Sequence, residues 1–418
     1  MVSVTRRRLI TVAAMASAAL AAGRIAQAAP LQLPEANGSQ TGKGANAWLE
    51  ISPRIFAENI GKMKRLLADA HSKAQICAVM KADAYGHGIA LLMPAIKEAG
   101  IPCIGFTSNA EARVVSSFLY GGRLTRLRTA TLEEIAEAIP YGAEEIIGSL
   151  IHAQAIDKLA EASNSKISVH LCINAGGMSR NGIELALPSG MKDALQIARL
   201  PHLEIVGLMT HFPSDDVGDV ETVLATFNSQ AADLVAKAKL DRSALRLHAA
   251  NSFAALSVAA SHLDMVRVGG ALYGDTVPSP YQFQRMMAFK TTVGSVNAYK
   301  QGETVSYDRT YTLTRDCRLA NIPVGYSDGY NRKFSSLSHV LIRGHRVPCV
   351  GRVSMNTFMV DVTDYPDVAE GDEVVLYGKD AHNNEISQSE LEEASGTIGV
   401  EFESVWGLLN PRRIALGG

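Results

Sequence analysis

Five polar groups stand where short apolar runs of this sequence end. Lys81 follows Ile76-Cys77-Ala78-Val79-Met80, and His211 closes Leu208-Met209-Thr210. Arg180 lies in the loop after the run 167–173, Asn251-Ser252 follow the run 245–248, and Arg267-Val268-Gly269-Gly270 closes the run from 265. A lysine at a strand end in apolar surroundings has a lowered pKa and can form an imine with a carbonyl compound. The N–H groups of Gly269 and Gly270, with the Ser252 hydroxyl, can cradle a phosphate. A reactive lysine beside a phosphate cradle suits an aldehyde-bearing phosphate cofactor, which suggests pyridoxal phosphate.

The elements that must position these groups follow a regular rhythm. Apolar runs at 76–80, 102–106, 124–129, 146–148, 167–173, 205–210, 245–248 and 265–268 read as strands. Between them lie longer stretches with helical periodicity, such as 87–99, 131–138, 152–163 and 220–239. Eight strand–helix units over ~230 residues have the size of a (β/α)₈ barrel, whose active site sits at the C-terminal ends of its strands. A doubly wound open sheet is the alternative, weakened because no Gly-x-Gly-x-x-Gly follows the first strand. After about residue 288 short strands punctuated by Gly and Pro take over, with one helix at 387–395. The fold class expected is α/β, a barrel at 47–287 followed by a mainly β domain at 288–418.

The 418 residues are 47% hydrophobic and 20% charged, with a formal net charge of −2, which gives no basic field for nucleic acid. The charge is uneven. Residues 1–28 hold Arg6, Arg7, Arg8 and Arg24 and no acid, so the remainder carries a net −6. Arg6–Arg8, the apolar run 9–22 and Ala26-Gln27-Ala28 have the order of a signal peptide cleaved near Ala28. The Thr5–Ile10 pattern also fits twin-arginine export, and the route stays open. Residues 29–46 read as a disordered mature N-terminus, and no other segment reads as transmembrane. The expected location is the periplasm, with no nucleic-acid or membrane partner and no metal site.

Val79-Met80-Lys81-Ala82-Asp83-Ala84-Tyr85-Gly86-His87-Gly88 resembles the cofactor-lysine motif of alanine racemases. The resemblance continues in order through Thr210-His211-Phe212, His248-Ala249-Ala250-Asn251-Ser252, the 266–274 block, Val305-Ser306-Tyr307-Asp308, Gly325-Tyr326-Ser327-Asp328-Gly329 and Gly351-Arg352-Val353-Ser354-Met355-Asn356. It implies a head-to-tail homodimer whose sites are completed across the interface. Lys81 would carry the cofactor and act as one base, with Tyr307 of the second copy as the opposite base. Tyr85, Ser252, Gly269 and Gly270 would hold the phosphate, His211 would lie beside the ring, and Arg267 would face the pyridine nitrogen. Arg180 would steer the substrate carboxylate, with Tyr326 and Met355 at the substrate end. A lysine and a tyrosine on opposite faces meet the need of racemisation, proton removal on one side and delivery on the other.

Departures from the family pattern bear on the substrate. The usual lysine before the arginine of the Gly-Met-x-Arg block is absent, and Asn174 is expected to substitute, with an anion such as chloride filling the vacated charge. Gly270, Asn356 and the missing C-terminal tyrosine suggest a roomier mouth, and Arg126 and Arg128 are further candidates to face it. With the leader, this is most similar to the periplasmic broad-specificity amino-acid racemases, so Lys, Arg and Ala are all expected substrates. A strict alanine racemase, a pyridoxal-phosphate basic amino-acid decarboxylase and a non-catalytic amino-acid binder are the alternatives. The decarboxylases usually show Gly-Gly-Gly and Glu-Pro-Gly-Arg strings, and neither occurs here. Cys77 and Cys103 fall on neighbouring strands ~4.8 Å apart. They are expected to form a disulfide in an oxidising compartment, as that branch of the family also suggests. Five free thiols are the other reading.

Overall fold

The computed structural model describes residues 44–275 and 282–415. The expected leader at 1–28, and 29–43 of the tail behind it, lie outside the described residues. The first strand, β1 (Ala47–Ile51), leads into the helix Pro53–Asp69. Ser52 Oγ accepts the Ile55 N–H (3.3 Å) and Pro53 occupies the first turn, so the start is set by capping chemistry. Phe56, Ile60, Met63 and Leu67 then recur at helical spacing on the buried face.

All eight expected barrel runs are strands: β2 (Gln75–Val79), β3 (Cys103–Phe106), β4 (Arg123–Arg126), β5 (Ala143–Ile147), β6 (Ile167–Cys172), β7 (Leu203–Met209), β8 (Arg246–His248) and β9 (Met265–Val268). They form a parallel sheet in the order β8-β7-β6-β5-β4-β3-β2-β9. Its two ends are joined by Asp264 N to Leu247 O (3.0 Å) and Arg267 N to Ala250 O (2.9 Å), which nearly closes the barrel. Near closure excludes the open doubly wound sheet and gathers the C-terminal strand ends at one mouth.

Beyond the barrel, a ten-stranded sheet dominates the second half. β1 belongs to this sheet: it pairs antiparallel with β10 (Met287–Thr292) and parallel with Arg412–Ile414. The two ends of the described chain are therefore tied into one sheet. The helices Gln388–Ser395 and Gly399–Leu409 pack beside it, and the second brings Val400 to the barrel mouth. Among the described residues no helix is long and apolar enough to cross a membrane, and no cluster of three metal-ligating side chains occurs.

The expected Cys77–Cys103 disulfide is not formed in this structure. Cys77 and Cys103 are register partners on β2 and β3 and share a buried cluster with Met265, but both are free thiols. Register partners on parallel strands project side by side from one face. Cys103 Sγ contacts Thr125 Oγ1 (3.4 Å), and the two sulfurs face each other at thiol–thiol hydrogen-bonding range.

Candidate active site

Lys81 stands immediately beyond β2, at the start of an unusual turn. Ala82, Asp83, Ala84 and Tyr85 all have positive φ, between 51° and 58°. A left-handed run costs roughly 1–2 kcal/mol for each non-glycine residue, so the surroundings must hold it. Part of the hold is internal: His87 Nδ1 reaches Ala84 O (2.9 Å) and Tyr85 O (3.1 Å). Carbonyls only accept, so Nδ1 carries the proton, and burial keeps the ring neutral with a pKa of about 4. Tyr273 OH donates to Val79 O (2.9 Å) and its ring packs on Tyr85 and His87. The turn leaves Lys81 Nζ 5.6 Å from the centre of the Tyr85 ring. Burial lowers the Lys81 pKa, and the charges of Arg180 and Arg267 lower it further against an opposing pull from Glu111. A larger neutral-amine fraction is what attack on an aldehyde requires.

Across the mouth, Ser252 Oγ accepts from Gly269 N (3.2 Å) and Ala271 N (3.1 Å). Asn251 caps the short helix behind Ser252 through Ala254 N (2.9 Å). The Tyr85 phenol seats against Gly269, where a Cβ would lie 2.4 Å from its oxygen. This is a compact cup of amides and hydroxyls at a helix start, suited to an anion.

Arg267 is buried beneath the mouth. Its Nη2 donates to Thr210 O and Ala249 O (both 3.0 Å) and to His211 Nδ1 (3.2 Å). Its Nη1 meets His248 Nδ1 (2.8 Å), His248 Nε2 meets His170 Nδ1 (2.8 Å), and His170 Nε2 meets Glu144 Oε2 (2.8 Å). Guanidinium can only donate, so each imidazole accepts at Nδ1 and carries its proton on Nε2. The row is thereby polarised in one direction, from Arg267 to Glu144. Burial lowers the pKa of both histidines and keeps them neutral. Burial pushes the Glu144 carboxyl up, but the His170 hydrogen bond, the Arg246 charge and the Thr125 hydroxyl outweigh it and hold it near 2. Burial brings Arg267 to about 10, still protonated at neutral pH. His211, depressed to about 3 by burial, Arg267 and Arg180, is neutral with its Nε2 proton free for the cavity.

These groups line one cavity of about 340 Å³. Of the expected site residues, Lys81, Tyr85, Arg180, His211, Ser252, Arg267, Gly269 and Gly270 face it. Asn174 does not. Its Oδ1 accepts Ser179 N (2.8 Å) and its Nδ2 donates to Glu184 (2.9 Å), so its amide staples the loop that carries Arg180. Arg126 and Arg128 also stay out: Arg126 pairs with Glu145 (2.8 Å) and Arg128 with Glu134, while Leu127 between them reaches the cavity. Tyr307, Tyr326 and Met355 lie exposed on the β domain, Tyr307 by 67%, and do not line this cavity. The cavity adds residues that the sequence left unmarked, among them Asn181, Asp215, Asp275 and Val400. Adjacency to Arg180 was the signal available for Asn181; Val400 comes from a helix with no motif.

Comparison with known proteins agrees with this geometry. The family model for the alanine racemase N-terminal domain matches residues 51–277, and that for the C-terminal domain matches 286–414. The chain belongs to the alanine racemase family. A broad-specificity amino-acid racemase of Pseudomonas putida is 51% identical over 385 residues, covering 92% of this chain and 93% of that protein. A lysine racemase of Proteus mirabilis is 46% identical over 367 residues, covering 88% and 89%. Among solved structures, the alanine racemase of Bacillus anthracis with bound L-Ala-P superposes with a TM-score of 0.80 at 26% identity, covering 89% of this chain and 96% of that one.

This racemase is a pyridoxal-phosphate enzyme, and its cavity fits that cofactor. A buried amine of lowered pKa stands at one side, an amide-and-hydroxyl cup at another, and a buried guanidinium below.

Proposed function

We propose that this racemase interconverts the L and D forms of several amino acids, with lysine and arginine preferred and alanine accepted. The observation that carries the reading is the cavity itself, where Lys81, Arg180 and Arg267 converge and no ion pair among the described residues engages Arg180. Its guanidinium is left for a substrate carboxylate, and a chloride beside it completes the charge balance. The broad-specificity and lysine racemases among its relatives support the substrate range. Pyridoxal phosphate, when bound, supplies the electron withdrawal that makes an α-proton removable.

The chain's own residues then divide the work. Lys81 Nζ takes or returns the proton on one face. On the other, Tyr307 Oη of the second copy does so, helped by the His211 Nε2 proton. Tyr85, Ser252, Gly269 and Gly270 would hold the phosphate, and Arg267, which keeps its proton, would face the ring nitrogen and leave it unprotonated, favouring racemisation over decarboxylation and transamination. A head-to-tail dimer explains why Tyr307, Tyr326 and Met355 are exposed in the single chain. The residue 1–28 leader would place the enzyme in the periplasm. The test is a panel of L-amino acids followed by chiral chromatography. D-lysine, D-arginine and D-alanine are all expected, and activity confined to alanine would sink the proposal.

A further inference from the structure

The Lys81 turn is gripped from the far end of the chain. Arg412 Nε donates to Gly86 O (2.7 Å), and its Nη2 reaches both Gly407 O (2.6 Å) and Asp83 Oδ2 (2.9 Å). Asp83 Oδ1 accepts Ile89 N (2.8 Å), so this carboxylate ties the turn to Arg412 on one side and to the following helix on the other. The helix Gly399–Leu409 meets the same turn backbone to backbone. A Cβ on Gly86 would lie 2.0 Å from Glu403 O, and one on Gly407 would lie 2.3 Å from Gly86 Cα. The Arg412 side chain is only 9% exposed, and Arg412 does not line the cavity. Four left-handed non-glycine residues do not hold themselves, so whatever holds them also sets the direction of Lys81.

We infer that Arg412 is a positioning residue for Lys81. By clamping Gly86 and Asp83 to the helix Gly399–Leu409, it keeps the left-handed turn wound and the Lys81 amine aimed into the cavity. The β domain of each chain is then part of the mount of its own cofactor lysine. This rests on Lys81 being the cofactor lysine.

The test compares wild type, Arg412→Ala and Arg412→Lys as purified holoenzymes and as apoproteins. In the Arg412→Ala apoprotein, amide exchange of the 82–88 peptide should speed at least about tenfold while the barrel strands stay protected. In its holoenzyme, kcat should fall roughly a hundredfold with KM little changed, the loss a slightly misplaced reacting group produces. Added ethylguanidinium should restore part of kcat, and Arg412→Lys should lie between. Normal exchange and normal kcat in Arg412→Ala overturn the inference. If that variant does not fold, Asp83→Asn removes one arm of the clamp and should show the same two changes more weakly. Their absence there overturns it equally. A wild type that racemises no amino acid defeats the proposed function instead, and the exchange comparison still stands.

Discussion

The barrel axis and the β-domain core are both buried, but they are filled with opposite chemistry. Along the axis run Thr125, Glu144, His170, His248 and Arg267, each engaged by the next within hydrogen-bond distance. The β-domain core is aromatic: Tyr330 stacks on Phe358 at 4.8 Å and contacts Phe334 at the same distance, with Phe402 and Trp406 beyond. The Tyr330 phenol is satisfied by Ser338 (2.8 Å). An apolar core supplies stability without preference among charge states. A satisfied polar row fixes tautomers and charge, and so can serve the group at its end. The barrel is built to hold Arg267 in one state, whereas the β domain is built to stay folded and present surfaces.

That contrast predicts the largest loss at the barrel mouth. Lys81→Ala should reduce racemisation by roughly 10⁴-fold or more, the upper range for one proton-transfer group. The purified variant should also lack the visible absorption of the bound cofactor. Chiral chromatography and an absorption spectrum check both. Tyr307, the chemical group the β domain contributes on our reading, comes next. Tyr307→Phe should cost roughly 10²–10³-fold in kcat/KM, equally in both directions because the two enantiomers are isoenergetic, while solvent-deuterium uptake should fall much further for the L-amino acid than for the D. A small loss, with uptake falling equally for the two enantiomers, would return Tyr307 to a surface role.

Phe358→Ala is the counterpart in the aromatic core. Phe358 is 1% exposed, and truncating such a ring costs about 3–5 kcal/mol. Chemical denaturation should show that loss, while kcat per folded molecule stays near wild type. A kcat that fell with stability would mean the two cores are not separable.

Much of this was legible beforehand, and the gaps have physical causes. The eight barrel strands read cleanly because each is a β-rich run set off by helical periodicity. The helix Gly399–Leu409 carries buried residues without a strong polar stripe, so periodicity does not announce it. The cup and Lys81 followed from residue type at strand ends. The His248–His170–Glu144 row did not, because its members are 26 and 78 residues apart and only the closed barrel brings them together. Asn174 was matched to a missing lysine beside Arg180, and its amide engages Ser179 N and Glu184 on the loop that carries that arginine. Cys77 and Cys103 were rightly placed as neighbours, and their sulfurs face each other as thiols.

The seam between the regions holds a titrating group. Glu403 is buried, and burial with the charges of Asp275 and Glu392 outweighs the pull of Tyr377 and Arg285, raising its pKa to about 7. A carboxyl raised in the folded state binds more protons there than in the unfolded chain. Its stabilising contribution is full below the ordinary value of 4.5 and is lost as pH rises through about 7. The loss is at most about 3 kcal/mol. Urea denaturation at pH 5 and pH 8 should show stability falling more for wild type than for Glu403→Gln. Parallel slopes would remove Glu403 as the cause.

The smallest and sharpest effect belongs to the bottom of the polar row. Glu144 touches neither cavity nor substrate, and its Oε2 receives the His170 proton three hydrogen bonds away from Arg267. Glu144→Gln keeps the shape and removes the charge. Arg267 still dictates the direction of the row, so ¹⁵N spectra of the apoprotein should show Nε2–H imidazoles in both wild type and variant. Without the carboxylate, the charge on Arg267 is less compensated. The racemisation barrier should rise by about 1–2 kcal/mol, the range for coupling through a packed network. If Glu144→Gln changes stability but neither kcat nor the cofactor spectrum, the barrel row is a core like the other, merely built from polar parts.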